Sequence, residues 1–136
     1  MDLDAARDVI RTQHRAVLAT TRADGSTQMS PVTVDVDAEG YVVISTRETA
    51  YKLKHILRNP NVAVCVLPDE FFGRWIQVEG TASVVPLPEA MDGLVEYYRR
   101  VSGEHPDWDD YRAAMVRDKR VLVRIALTKA GPDRNG

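Results

Sequence analysis

From Arg15 onward the chain alternates apolar and polar residues with a period of two, a rhythm broken three times by stretches of helical spacing. Side chains of a strand point alternately to its two faces, so the alternation predicts strands with one dry face. The run A-V-L-A-T-T after Arg15, the turn signal Asp24-Gly25 and the run T-Q-M-S-P-V-T-V-D-V read as a β-hairpin. In its second strand Val32, Val34 and Val36 alternate with Thr33, Asp35 and Asp37. A turn at Asp37-Ala38-Glu39-Gly40 leads into Y-V-V-I-S and completes a three-stranded meander. Further strands cover Val62 to Leu67, the long run W-I-Q-V-E-G-T-A-S-V-V, and R-V-L-V-R-I-A-L. Gly80, inside the long run, marks a bulge or tight bend of the kind barrel strands use.

The helical stretches lie before, within and late in this series. Leu3, Ala6, Val9, Ile10 and Gln13 approach helical spacing behind Asp2 and Asp4, whose charge suits a helix start. A helix from about Thr49 to Arg58 places Ala50, Leu53 and Leu57 on one face and closes at Asn59-Pro60, because a residue before proline disfavours helical geometry. Behind Pro86 and Pro88, the stripe Met91, Leu94, Val95, Tyr98 and Val101 predicts a helix packed on the core and stopped at Gly103. Asp107 caps a last helix carrying Trp108, Tyr111, Ala114 and Met115. Six mostly antiparallel strands with short flanking helices define an α+β domain built around a β-barrel. One domain over residues 1–130 is expected, with 131–136 as a mobile tail.

Composition narrows the function. Lys plus Arg total 18 and Asp plus Glu 20, so no overall field recruits nucleic acid or an anionic membrane, and any basic function is local. The apolar runs are strand-sized and the start M-D-L-D-A-A-R-D lacks the pattern of a signal peptide, which makes a cytoplasmic protein the expectation. The single cysteine, Cys65, reads as a small residue of a buried strand. His14, His55 and His105 share no metal-ligand spacing, and phosphate-binding, nucleophile-elbow and zinc-protease motifs are absent. His55 reads as solvated, and Asp109 and Asp110 fall in a first helical turn, where acidic residues are favoured for the dipole alone.

One constellation remains. Ser45, Thr46 and Arg47 follow an apolar strand, and Lys52 and Lys54 sit at the beginning of the next helix. Hydroxyls, cations and the free amides of a helix start converge there on the chemistry of an anion cradle. By charge count alone the same residues also suit a solvated helix face.

The order A-V-L-A-T-T, D-G-S-T-Q-M-S-P-V, V-V-I-S-T-R, the helix of Lys52, R-N-P-N-V-A-V, R-W-I-Q-V-E-G-T-A and H-P-D-W-D-D-Y-R resembles the pyridoxamine 5'-phosphate oxidase-like split-barrel flavoproteins, and among them the F420-dependent reductases. The resemblance implies a six-stranded split β-barrel and a homodimer with cofactor sites between protomers. It places Ser45, Thr46, Arg47 and Lys52, with Lys54 beside them, at the cofactor phosphate. Gln28, Ser30, Pro31 and Val32 are then expected beside the ring, with Trp75, Ile76 and Gln77 approaching from a barrel strand. The expected activity is hydride transfer from F420H2 to a small conjugated, electron-poor substrate, with FMN as the alternative cofactor and a non-catalytic carrier as the alternative role. Tyr51 stands before the helix lysine where relatives often carry a basic or small residue. The longer C-terminal section of the true oxidases is missing, so their biosynthetic role is not expected.

Overall fold

A computed structural model describes residues 1–136. The Asp2 carboxylate caps helix α1 (Leu3–Ile10) by accepting the Ala5 amide at 3.1 Å, which satisfies one of the free N–H groups of a helix start. Strands β1 (Arg15–Thr21) and β2 (Thr27–Thr33) form the expected hairpin. In its turn Asp24 accepts from the Ser26 amide and hydroxyl, and Gly25 takes a φ of 86°, open to a residue without Cβ. Strands β3 (Asp35–Val36) and β4 (Val42–Arg47), helix α2 (Tyr51–Arg58), and strands β5 (Asn61–Leu67) and β6 (Arg74–Val85) follow. Helices α3 (Met91–Ser102) and α4 (Trp108–Arg117) and strand β7 (Arg120–Asn135) complete the chain. Asp107 caps α4 as expected, accepting the Asp110 amide.

The expected six strands are seven, because the run from Thr27 to Val36 is two strands. The sheet order is β2-β1-β5-β6-β7-β4-β3, so β2 and β3 occupy opposite edges although only Val34 separates them. The sheet must therefore curl until its edges meet through the chain itself. The expected meander becomes two hairpins, β1–β2 and β3–β4, at opposite edges. Val34 is fully buried at the junction; its amide donates to the His14 carbonyl at 2.8 Å, and its own carbonyl lies 2.9 Å from His14 Nδ1. Asp35 is buried as well, but on the outer side, opposite Val43 and under α3, where Arg100 pairs with it.

The barrel interior is filled by alternate residues: Ala16 and Leu18, Val62, Val64 and Val66, Ile76 and Val78, Val121, Val123 and Ile125. Helix α1 adds Ala6, Val9 and Ile10, and α2 adds Leu53 and Ile56. The predicted α2 face needs correction, because Leu57 is 70 % exposed and Ile56 is buried instead. Leu57 shares its side of the helix with Lys54 and Arg58, so turning Ile56 inward leaves both charges in water. Outside the barrel, Val43 and Leu122 pack with Ala90 and Leu94 in a second, smaller cluster that seats α3. Of the predicted α3 stripe, Leu94 and Val95 are buried and Met91, Tyr98 and Val101 half-buried. Cys65 faces outward, half-buried, because its neighbours Val64 and Val66 take the inward positions. No helix is long and apolar enough to cross a membrane.

At Gly80 the β6–β7 register shifts, and a Cβ there would collide with the Ala126 carbonyl oxygen and lie 2.7 Å from Ile125 Cγ2, so the expected irregularity is also a close backbone approach. The tail is not loose. Strand β7 runs to Asn135, pairing Asp133 with Ile76, Arg134 with Trp75 and Asn135 with Arg74. Gly131-Pro132 does not end the strand because it falls at a second register shift, where a residue without an N–H is tolerated. Arg74 grips Asp133 with two hydrogen bonds of 2.8 Å.

This grip has a pH sign. The Arg74 guanidinium holds the Asp133 carboxyl below its ordinary value of 3.8, so its contribution is full above that value and fades as pH falls through the lowered one. Asp133→Asn is expected to speed amide exchange in residues 131–135 at neutral pH while β5 exchanges as before. Equal protection in wild type and variant would show that pairing alone holds the tail.

Candidate functional site

Strands β2 and β4 are not sheet neighbours, and where they part below α3 and α4 a groove of about 830 Å³ opens. That volume lies within the range of small-molecule sites, roughly 300–1,000 Å³. Pro31, Val32 and Thr33 of β2 and Ser45 and Thr46 of β4 form its floor, with Arg15, Ala16 and Val17 of β1 and Leu67 of β5 alongside. Lys52 and Arg120 stand at it from α2 and β7, and Tyr97, Tyr98, Tyr111 and Met115 form the helical wall.

The groove is lined by three cations and no carboxylate. Arg15 reaches Asp69 at 3.7 Å on the surface, whereas Lys52 and Arg120 have no acidic partner. Burial, and then the charge of Arg120, push the Lys52 ammonium below its ordinary value of 10.5. Arg120 also sits directly opposite Arg47 on the β4–β7 ladder, a like-charge pairing that disfavours the fold. Its Nε is buried and has no hydrogen-bond partner. A buried donor left unpaired costs about 1–3 kcal/mol. An anion in the groove relieves all three conditions, and Ser45 and the uncapped start of α2 at Ala50 offer further donors.

Five predicted site residues meet at this groove: Pro31, Val32, Ser45, Thr46 and Lys52. Arg47 is exposed and outside its lining, and Lys54 is exposed with its Nζ 5.6 Å from the Tyr51 ring centre. Gln28 and Ser30 lie further along β2, half-buried, and Gln28 Oε1 is buried without a partner. Trp75 and Gln77 are half-buried on β6, with β1 and β5 between them and β2. Ile76 is fully buried in the barrel core, so its side chain cannot meet a ligand in the groove. His55, expected in solvent, is half-buried with Nδ1 unpaired.

Arg120 and the tyrosine wall were not legible as site residues. Arg120 heads an alternating run whose next outward arginine, Arg124, is neutralised by Asp37 and Glu39, at 3.1 and 3.3 Å. The sequence shows two equivalent arginines; only the fold gives one of them acids. The tyrosines act as surfaces rather than acids. Tyr97 donates to the Thr33 carbonyl at 2.7 Å and Tyr111 to the Leu94 carbonyl at 2.8 Å. Burial pushes both phenols up to about 12, so neither yields a proton near neutral pH. Tyr98 packs against His105, Trp108 and Tyr111 with ring centres 5.1, 5.8 and 5.0 Å away. Such a wall suits a flat π-system.

A curled antiparallel sheet that parts over a cationic, aromatic-walled groove is a split barrel. This chain belongs to the pyridoxamine 5'-phosphate oxidase family, whose model matches residues 3–131. Its fold is that of a conserved hypothetical protein, Rv2991, of Mycobacterium tuberculosis, with 24% identity, 99% of this chain and 85% of that one covered, and a TM-score of 0.79. It is likewise similar to a protein described as an F420 reductase, at 23% identity, with 92% and 94% covered and a TM-score of 0.71. The heme storage protein HutZ of Vibrio cholerae shares the fold at 16% identity, with 100% and 98% covered and a TM-score of 0.73. The fold of the family accommodates flavin-type cofactors.

Because the folded Lys52 value is lowered, unfolding takes up a proton between that value and 10.5, and stability rises with pH across this window. Denaturant titrations over pH are expected to show this rise in wild type and a flatter profile in Lys52→Met. Inorganic phosphate is expected to raise the Lys52 value, read from side-chain NMR. An unchanged titration in phosphate would refute the anion cradle.

Proposed function

We propose that this protein is an F420H2-dependent oxidoreductase acting on a small, conjugated, electron-poor acceptor. The observation that carries the reading is the buried, unpartnered Nε of Arg120 beside Lys52 in a groove without carboxylates. These residues fit the phosphate of a deazaflavin nucleotide, and the cofactor itself supplies hydride chemistry when bound. Lys52 and Arg120 fix the anionic end, with Ser45 adding a hydroxyl. Val32 and the strand around Pro31 run beside the ring, and Tyr97 and Tyr98 exclude water from the opposite side. FMN shares the phosphate and the ring shape, and is the alternative ligand.

The test is a fluorescence titration with F420 and, separately, FMN. F420 is expected to bind below about 100 μM, roughly −5.5 kcal/mol, and Arg120→Met and Lys52→Ala each to weaken it at least tenfold. Oxidation of bound F420H2 by a panel of quinones and enones then separates an enzyme from a carrier. Binding of FMN alone would transfer the reading to a flavin enzyme, and binding of neither ends it.

We further propose that two copies complete the site. Helices α3 and α4 lie over β4 and β7, and α1 and α2 plug the core, but no helix covers the outer face of β2, β1, β5 and β6. By register, Pro31, Val17, Cys65 and Gln77 form one row of that face, and Met29, Ala19, Ala63 and Glu79 another. Met29 is 69 % exposed, and Phe71 and Phe72 stand 81 % and 73 % exposed at its margin. Apolar surface of this kind favours an isologous partner. Because Val17 and Leu67 belong to both face and groove, a second copy would border the ligand and bring its own Trp75 and Gln77 near. Sedimentation equilibrium is expected to give a dimer, and Met29→Asp with Phe72→Asp a monomer that binds F420 more weakly. A monomeric wild type contradicts this arrangement.

A further inference from the structure

The groove's aromatic wall stands on α3 and α4, and α3 is fastened to the barrel in two chemically different ways. Near its start, Leu94 and the preceding Ala90 sit in the apolar cluster with Val43 and Leu122. From Glu96 to Ser102 no residue of the helix is buried, yet this half carries Tyr97 and Tyr98. The Tyr97 ring rests on the edge of the same cluster, and two polar contacts fix this half to the chain crossing. The Tyr97 hydroxyl donates to the Thr33 carbonyl, and the Arg100 guanidinium, one turn on, pairs with the Asp35 carboxylate. Asp35 is 2 % exposed, and its ion pair is with Arg100 alone. The acceptors, Thr33 and Asp35, flank Val34, where the chain crosses from one sheet edge to the other.

We infer that Asp35 and Arg100 form a positioning clip that sets the tyrosine wall of the groove and thereby its affinity for ligand. A buried carboxylate without its partner is strongly disfavoured, so the pair is held to one geometry. Arg100 lies three residues beyond Tyr97 and shares its side of α3, so the ion pair fixes the turn from which Tyr97 and Tyr98 project. Tyr111 is coupled in turn, because its hydroxyl bonds to the Leu94 carbonyl of the same helix and its ring packs on Tyr98. The inference rests on the groove being the ligand site and adds residues that do not line it.

Amide exchange by mass spectrometry on the full chain tests the clip without ligand. Asp35→Asn and Arg100→Met are each expected to speed exchange in residues 97–117 at least tenfold while β5 and β6 keep wild-type rates. Arg100→Lys, which retains the charge, is expected to restore most of the protection, and the double variant to be no faster than the faster single one. With F420 and FMN as probes, the ligand bound by wild type is expected to bind Arg100→Met at least tenfold more weakly, with Arg100→Lys in between. A uniform rise in exchange across the barrel, or a local rise with unchanged affinity, would overturn the positioning role. If neither probe binds wild type the cofactor reading fails, and the exchange map alone decides the clip.

Discussion

The structure depends on the passage of the chain through Val34. Because β2 and β3 are almost continuous and yet belong to opposite edges of one sheet, the barrel is closed by covalent connection instead of by a full ladder of hydrogen bonds. Strands β2 and β4 are thus free to diverge on the outer side, and the divergence is the groove. The desolvation of Val34, and its two contacts with His14, secure the crossing. Site and closure are two aspects of the same local geometry.

The groove holds its charge against the fold's own interest. Lys52 is partly desolvated beside Arg120, Arg120 faces Arg47 across a ladder, and one guanidinium nitrogen is left without an acceptor. Three other arginines that pack on the barrel have acids: Arg124 has Asp37 and Glu39, Arg74 has Asp133, and Arg100 has Asp35. Local disagreement with the rules of stable folding gathers at functional sites, and among the cations it is greatest at this end of the groove.

Much of the fold was legible because strand alternation and caps are local signals. Asp2, Asp107 and Gly25 act as their positions suggest, and the barrel interior follows the period of two. What escaped depends on distant partners. The break at Val34 is invisible in an unbroken alternation, and the tail takes its order from the start of β6, nearly sixty residues earlier, where Arg74 and Trp75 have no β5 partner. Within the site, Lys52, Ser45 and Thr46 were readable as strand end followed by helix start. Arg120 was not, because its distinction from Arg124 lies in where acids of the β3–β4 turn happen to fall. Trp75 and Gln77, placed near the ring by resemblance, lie apart from the groove within one chain.

Strand β7 emerges after the six strands before it, yet it occupies an interior place in the sheet, between β6 and β4. Until it arrives, the β3–β4 hairpin has no ladder joining it to β6, and contacts so distant in sequence form late. Arg120 is its first residue. A ribosome-bound chain lacking that strand therefore presents Lys52 without its companion cation and the groove without one boundary.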